Sequence, residues 1–386
     1  MKKLACLFLL YVLAGVLSCT YVLPGSEPDL YPICLDNRFG FINAAGDIVI
    51  NPQFDYIGAM VDVEPGHDPY KFSEGLKVVG TGGRWGFIDN KGKYVVSPQF
   101  DYADDFSESL ALVRLNDRFG YVDHSGDLVI NPQFDEAKEF SEGVAAVRIE
   151  TRWGYIDKNG EYLVNPQFDY AHSFSDGMGL VNLGRRYGYI DKEGDYIINP
   201  QFDSAHTFKE GFAMVRVGET YGFIDKTGKF LLNPQFDQAN DFRSGMARVQ
   251  TGDRYGFIDS SGEIVINPQF DYALDFNEDL AAVRVGARWG FIDRTGDYVI
   301  NPQFDGASEF RSGLAAVAIK TNENRYDWGY INKTGDWVIN QQFSFANPFY
   351  GNLAHVSIGD NTDQTAYINK EGNIIWGPSP ICDLDD

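Results

Sequence analysis

The chain has 386 residues, 44% of them hydrophobic and 15% aromatic, which is ample for a packed core and excludes a globally disordered chain. Its 55 acidic and 32 basic side chains leave a net charge of −23. That balance argues against a nucleic-acid-binding surface, because phosphate backbones are held chiefly by cationic side chains.

Lys2 and Lys3 precede an uncharged, mostly apolar run from Leu4 to Leu17. The run is too short to cross about 30 Å of hydrocarbon as a helix and suits the apolar core of a signal peptide. Val16-Leu17-Ser18-Cys19 resembles a bacterial lipobox, which implies that Cys19 is acylated and begins the mature chain. Residues 1–18 are thus expected to be a signal peptide and residues 19–30 a lipidated N-terminus with a short spacer. The loss of Lys2 and Lys3 makes the mature chain still more acidic, so it contacts the membrane only through its lipid.

Residues 31–382 are one unit written ten times. An aromatic-Gly-aromatic-Ile-Asp phrase recurs with its glycine at 40, 86, 120, 154, 188, 222, 256, 290 and 329, and the six intervals from Gly86 to Gly290 are each 34 residues. A tenth, degenerate copy reads Thr365-Ala366-Tyr367-Ile368-Asn369. A fixed period of this size means a repeat architecture rather than two or three separate domains. In the unit beginning at Leu280, the run Leu280 to Val285, the phrase Trp289 to Asp293 and the run Asp297 to Ile300 are β-rich and joined by short turns. The expectation is a three-stranded antiparallel meander.

The turn after the phrase has a defined chemistry. A glycine follows the Ile by four residues in every unit, from Gly46 to Gly372, and Asp or Asn stands three residues before it. An Asx at the head of a type I turn bonds its own backbone, and the glycine takes the left-handed conformation. This accounts for Asp89, Asp123, Asp157, Asp191, Asp225, Asp259 and Asp293 without catalysis. A calcium ladder is the alternative reading of that column, although calcium ligands usually cluster in one loop.

Asn-Pro-Gln-Phe-Asp follows the third run, at Asn131, Asn165, Asn199, Asn233, Asn267 and Asn301 among others. Proline lacks a ladder donor, so it is expected to end the strand at the sheet edge. The connector then reads Phe-Asp-x-Ala-x-x-Phe, as Phe270, Ala273 and Phe276, apolar plugs between units with scope for a short fourth strand. Glycine, or a residue tolerant of positive φ (Ser109, Asp279, Asn352), opens the next unit. One meander has too little apolar surface to offset its own ordering, so the ring columns Phe39 through Trp328 and Phe41 through Tyr367 are expected between units. An exposed aromatic ladder for sugars is the sharper alternative.

Trp153-Gly154-Tyr155-Ile156-Asp157 and Trp289-Gly290-Phe291-Ile292-Asp293, with the downstream Asn-Pro-Gln-Phe and Phe-Ser-Glu-Gly, resemble the WG-repeat family of bacterial proteins. The resemblance implies an exported or cell-envelope protein, outer-membrane or surface-exposed, whose repeat number varies within the family and to which no reaction is assigned. Variable copy number favours ten repeats stacked as a curved, open β-solenoid. The alternative is a closed, propeller-like ring. After processing only Cys34 and Cys382 remain, one at each end of the repeats, and a disulfide between them needs Cα atoms within about 7 Å, which a straight array forbids.

No catalytic or phosphate-binding motif is present, and the expectation is a non-enzymatic scaffold without cofactor or metal, binding a protein or an envelope glycan. His172 and His206 share a repeat position that elsewhere holds Asp104, Lys138, Asn240, Leu274 or Ser308, which reads as exposed and permissive, with a two-histidine metal site as the weaker alternative. Departures from the period are the better guide, since insertions in a stacked array fall on its rim. They nominate Glu64, His67, Asp68 and Tyr70 in the first insertion, Asn322, Asn324, Tyr326 and Trp328 in the second, and Asp360 and Asp363 in the third. The last two insertions occupy the same turn of successive units and are expected side by side.

Overall fold

The computed structural model describes residues 29–58, 71–322, 325–359 and 364–380. They form ten antiparallel sheets, nine of four strands and one of three. The eighth blade is representative: an inner strand Tyr272–Ala273, a second strand Ala281–Val285, a third strand Arg288–Ile292 and an outer strand Tyr298–Phe304. The connector therefore supplies a fourth strand, two residues long in most blades, and the three-stranded expectation is corrected accordingly. Blade 1, Tyr31–Leu35, Arg38–Ile42 and Ile48–Phe54, has three described strands. No helix among the described residues is long and apolar enough to cross a membrane.

The phrase glycine is dictated by the outer strand. In blade 8, Trp289 pairs with Phe304 and Phe291 with Ile300, so a two-residue step on the third strand faces four residues of the outer one. The surplus bulges inward over Gly290, where a Cβ would lie 2.5 Å from the Ile300 carbonyl oxygen and 2.6 Å from the Pro302 nitrogen. Pro302 does not end the strand, as the sequence suggested. It sits within the strand at the sheet's free edge, where the missing N–H leaves no ladder bond unmade.

The following turn is as expected. Asp293 Oδ1 accepts the amides of Thr295 (2.9 Å) and Asp297 (3.1 Å), and Gly296 adopts φ +89°. Of the residues expected to open units at positive φ, Ser109 and Asp279 do so, whereas in blade 10 the conformation falls on Gly351 instead of Asn352.

Adjacent blades pack face to face. The second ring of each phrase is buried and meets the connector phenylalanine of the next blade, as in Tyr155–Phe174 (5.0 Å), Phe257–Phe276 (4.8 Å) and Phe291–Phe310 (4.8 Å). Where that ring is tyrosine, its hydroxyl donates to the next inner strand: Tyr155 to the His172 carbonyl, Tyr189 to that of His206 and Tyr330 to that of Asn347, each at 2.7 Å. Burial pushes these hydroxyls far above the usual tyrosine range. The rings are core, as the repeat arithmetic required.

Two carboxylate ladders bind the blades further. On one face the aspartate of Asn-Pro-Gln-Phe-Asp joins an arginine of its own blade to a turn amide of the next: Asp305 accepts Arg288 Nη1 at 2.7 Å and the Lys320 amide at 2.8 Å. On the other face the glutamate of Phe-Ser-Glu-Gly reaches the equivalent turn one blade on, as in Glu108 to the Gly143 amide (2.8 Å) and Glu210 to that of Gly245 (2.7 Å). Lysines of the Asx turns close the same face, Lys158 Nζ donating to the Glu108 carbonyl at 2.8 Å. Much of the acidic excess is thus structural.

The solenoid expectation is overturned by the ends of the chain. Blade 10 packs on blade 1 through Tyr31, Ile33, Ile42, Leu353 and Tyr367, with the Tyr31 and Tyr367 rings 5.7 Å apart. The Tyr31 hydroxyl donates to the Tyr350 carbonyl (3.1 Å) and accepts the Asn352 amide (3.0 Å). A Cβ on Gly46 would lie 2.5 Å from the Ile375 carbonyl oxygen, the same glycine-on-outer-strand seat that Gly335 takes against Ile300. The ten blades therefore close into a β-propeller. Each blade turns its neighbour by a similar angle, and ten such turns bring the last sheet onto the first. Cys34 is disulfide-bonded. Cys382, its expected partner, lies outside the described residues.

Candidate functional site at the inner rim

The short strands face the inside of the ring. On that side, side chains two blades apart can meet: Arg243 of blade 7 reaches Glu309 of blade 9 at 2.9 Å, which the smaller inner circumference makes feasible. The outer strands instead present a half-exposed aliphatic residue to the periphery, such as Val129, Ile197 and Val299.

The position shared by Asp104, Lys138, His172, His206, Asn240, Leu274 and Ser308 lies within the inner strand of blades 3 and 5 and directly after it in the other blades. It is half-buried in most blades rather than freely exposed, which corrects the reading of that column as a permissive surface. His206 Nδ1 lies 2.9 Å from Asp241 Oδ1 in blade 7. Burial, with Lys138 and His206 nearby, holds His172 down at about 4, so its ring is neutral at physiological pH. Among the described residues no group of three His, Cys, Asp or Glu is placed to hold a metal.

Blades 3, 4 and 5 enclose a cavity of 440 Å³ on this rim, lined by Tyr102, Asp104, Arg114, Phe119, Lys138 and Ser173 among others. Tyr102 donates to Asp104 at 3.0 Å. Burial raises the Asp104 carboxyl above its ordinary value, opposed by the Tyr102 hydrogen bond. Burial and the carboxylates of Asp104, Asp105 and Glu139 push the Tyr102 hydroxyl up strongly. Lys138 Nζ sits 5.1 Å over the Tyr170 ring and donates to its hydroxyl at 3.1 Å.

A second polar cluster, across blades 7 to 9, is held by ion pairs, although Arg248 Nε and Asp275 Oδ1 are buried without a hydrogen-bond partner. Arg248 Nε lies 3.3 Å from Asp275, and Glu309 takes both Arg243 and Arg311. Arg311 in turn lies 4.4 Å over the Tyr350 ring. In blade 2, Lys77 is fully buried and donates to Asp105 of blade 3 at 2.8 Å.

Of the residues nominated by insertions, Glu64, His67, Asp68, Tyr70, Asn324, Asp360 and Asp363 lie outside the described residues, as does Cys19. Asn322 and Tyr326 are exposed on a hairpin that lengthens the second and third strands of blade 9, where Lys320 pairs with Tyr326 and Asn322 with Arg325. Trp328 is half-buried against Phe345 of blade 10 at 5.5 Å, so it serves the seam. The inner-rim residues were not nominated. Their signal was the failure of one column to repeat.

Nine copies of the family model "WG containing repeat" match the chain, over residues 39–62, 85–118, 119–150, 153–186, 187–221, 221–255, 255–288, 289–320 and 328–361. The chain belongs to the WG containing repeat family. Blade 10's degenerate phrase falls beyond the last match yet forms a third strand like the others, Gln364–Ile368. No curated protein matches this WG-repeat chain in sequence. Among solved structures it is similar to one described as the crystal structure of the eukaryotic initiation factor, with TM-score 0.51 and 12% identity over 82% of this chain and 97% of that one. The WD40 beta propeller domain of Doa1 aligns with TM-score 0.29 and 12% identity over 55% of this chain and 86% of that one. At such identities the likeness concerns the fold alone.

Proposed function

We propose that this WG-repeat propeller is a non-catalytic scaffold, tethered in the cell envelope by a lipid on Cys19, that holds a partner protein against its inner rim. The observation that carries the reading is a division of labour. The repeated rings and carboxylates are engaged in seams and Asx turns, while the column that changes from blade to blade lines the inner rim. Half-exposed rings stand beside that column, namely Tyr102, Tyr170, Tyr272 and Phe345, the kind of side chain that anchors protein interfaces. Burial of the second phrase ring weighs against a sugar-binding ladder built from that column, and the net charge weighs against nucleic acid.

The test is photo-crosslinking in intact cells with a probe at Tyr170 or Tyr272, compared with a probe at Val299 on the periphery. Crosslinks to one protein from the inner positions alone are expected. Equal yields from the periphery would sink the proposal. The anchor is tested separately: Cys19→Ser should abolish metabolic labelling with a fatty acid and release the protein from membranes.

A further inference from the structure

One row of side chains crosses each blade at the inner rim, and its make-up varies from blade to blade. In blade 4 the row is Glu136, Arg148, Trp153, and Arg148 is closed by Glu136 at 2.6 Å. In blade 3 it is Tyr102, Arg114, Phe119. With tyrosine where blade 4 has glutamate, Arg114 has no carboxylate within ion-pair reach among the described residues. Its Nε is buried without a hydrogen-bond partner, and its guanidinium lies 5.8 Å over the Phe119 ring. Two residues along the inner strand, on the same face as Tyr102, stands Asp104, and no other blade has an acid at that position. Asp104 and Arg114 line the same 440 Å³ cavity without pairing with each other.

We propose that this cavity binds a free α-amino acid with an apolar or aromatic side chain. The ligand's carboxylate would lie on Arg114, its ammonium on Asp104, and its side chain against the Tyr102 and Phe119 rings, which touch edge to face at 6.3 Å. A guanidinium matches a carboxylate in a planar, two-bond geometry that an ammonium cannot reproduce. The volume falls within the range of small-molecule sites. A phosphate-bearing ligand is disfavoured, because Asp104 and Glu139 face the same space. In blade 8 the row is Tyr272, Arg284, Trp289, but Arg284 lies between both rings and the acid's place is taken by Leu274. The site is thus particular to blade 3.

The experiment is calorimetric titration of the purified protein with phenylalanine and leucine, alongside phenethylamine, phenylpropanoate and glucose. The amino acids should bind and the single-charge analogues should bind at least about tenfold more weakly, because each leaves one buried charge unmatched. Tyr102→Glu should abolish binding while leaving thermal stability unchanged or raised, since it copies the closed row of blade 4. Arg114→Lys should weaken binding at least about tenfold. Asp104→Asn should shift preference from phenylalanine to phenylpropanoate. The proposal is overturned if neither amino acid binds at millimolar concentration, if glucose or a single-charge analogue binds as well, or if Tyr102→Glu, shown folded by circular dichroism, binds undiminished.

Discussion

The outer three strands of every blade and its inner strand are built under different rules. In the outer three, the same side chain meets the same partner at seam after seam: phrase ring on connector phenylalanine, aspartate on arginine and turn amide, glycine under a bulge. In or just after the inner strand, one position holds Asp104, Lys138, His172, His206, Asn240, Leu274 and Ser308 in turn. A repeated residue answers a packing problem that recurs at each seam. A residue that changes while its backbone does not is free of that problem.

The sharpest way to break this contrast is to strike the repeated frame where nothing can move. Gly188→Ala would place a Cβ 2.6 Å from both the Ile198 carbonyl oxygen and the Pro200 nitrogen, and neither is a flexible side chain. A loss of about 3 kcal/mol or more is expected in denaturant unfolding. A loss below about 1 kcal/mol would mean that the bulge is mobile and the glycine merely customary.

The ladder comes next. Asp305 is largely buried and serves two donors from two blades, so Asp305→Ala should cost about 2 kcal/mol, whereas Leu274→Ser, at a half-buried position on the inner rim, should cost about 1 kcal/mol. Equal effects at both positions would erase the distinction between frame and rim. At the closing seam, Tyr31→Phe keeps the ring and removes both hydroxyl bonds, for a loss of about 1–2 kcal/mol. No loss would show that ring packing alone holds blade 10 to blade 1.

Most of the frame was legible because repetition multiplies a weak signal. A single Asp-x-x-Gly or Asn-x-x-Gly is an ordinary turn, but ten at one offset fix its place after the phrase. Closure was not legible, since it depends on a small rotation between successive sheets that leaves no residue pattern. What it does leave is a changed seam: Gly351 stands where other units have the glutamate of Phe-Ser-Glu-Gly, and the Tyr31 hydroxyl bonds the backbone on either side of it. The proline was misread for a related reason. Its missing donor argues for an edge, and the outer strand is an edge along its whole length, so the strand had no cause to stop there. The inner rim was visible only as noise in an otherwise regular column. Insertions drew the attention instead, and the one described in part proves to be a longer hairpin whose Trp328 belongs to a seam.

The smallest effect separates the two regions by pH. The Asx-turn carboxylates of the frame are held below the usual range, Asp123 by the Ser125 hydroxyl and turn amides and Asp293 by Thr295 in the same way. A depressed carboxylate contributes stability above its unfolded value of about 4 and loses it as pH falls further, so the frame weakens only in strong acid. His172 works in a different window. Its folded value is about 4 against about 6.5 in an unfolded chain, so between those limits the unfolded state takes up a proton that the folded state refuses. Stability should therefore fall as pH drops from about 6.5 to about 4, then cease to depend on this residue. His172→Asn introduces the side chain that blades 7 and 10 already carry as Asn240 and Asn347, so it fits the backbone. At pH 7.5 the variant and the parent should unfold at the same denaturant concentration, and at pH 5 the variant should be the more stable. Superimposed curves at both pH values would mean that His172 is solvated like a surface histidine, and the inner rim would then be less enclosed than its neighbours Lys138 and Tyr170 make it.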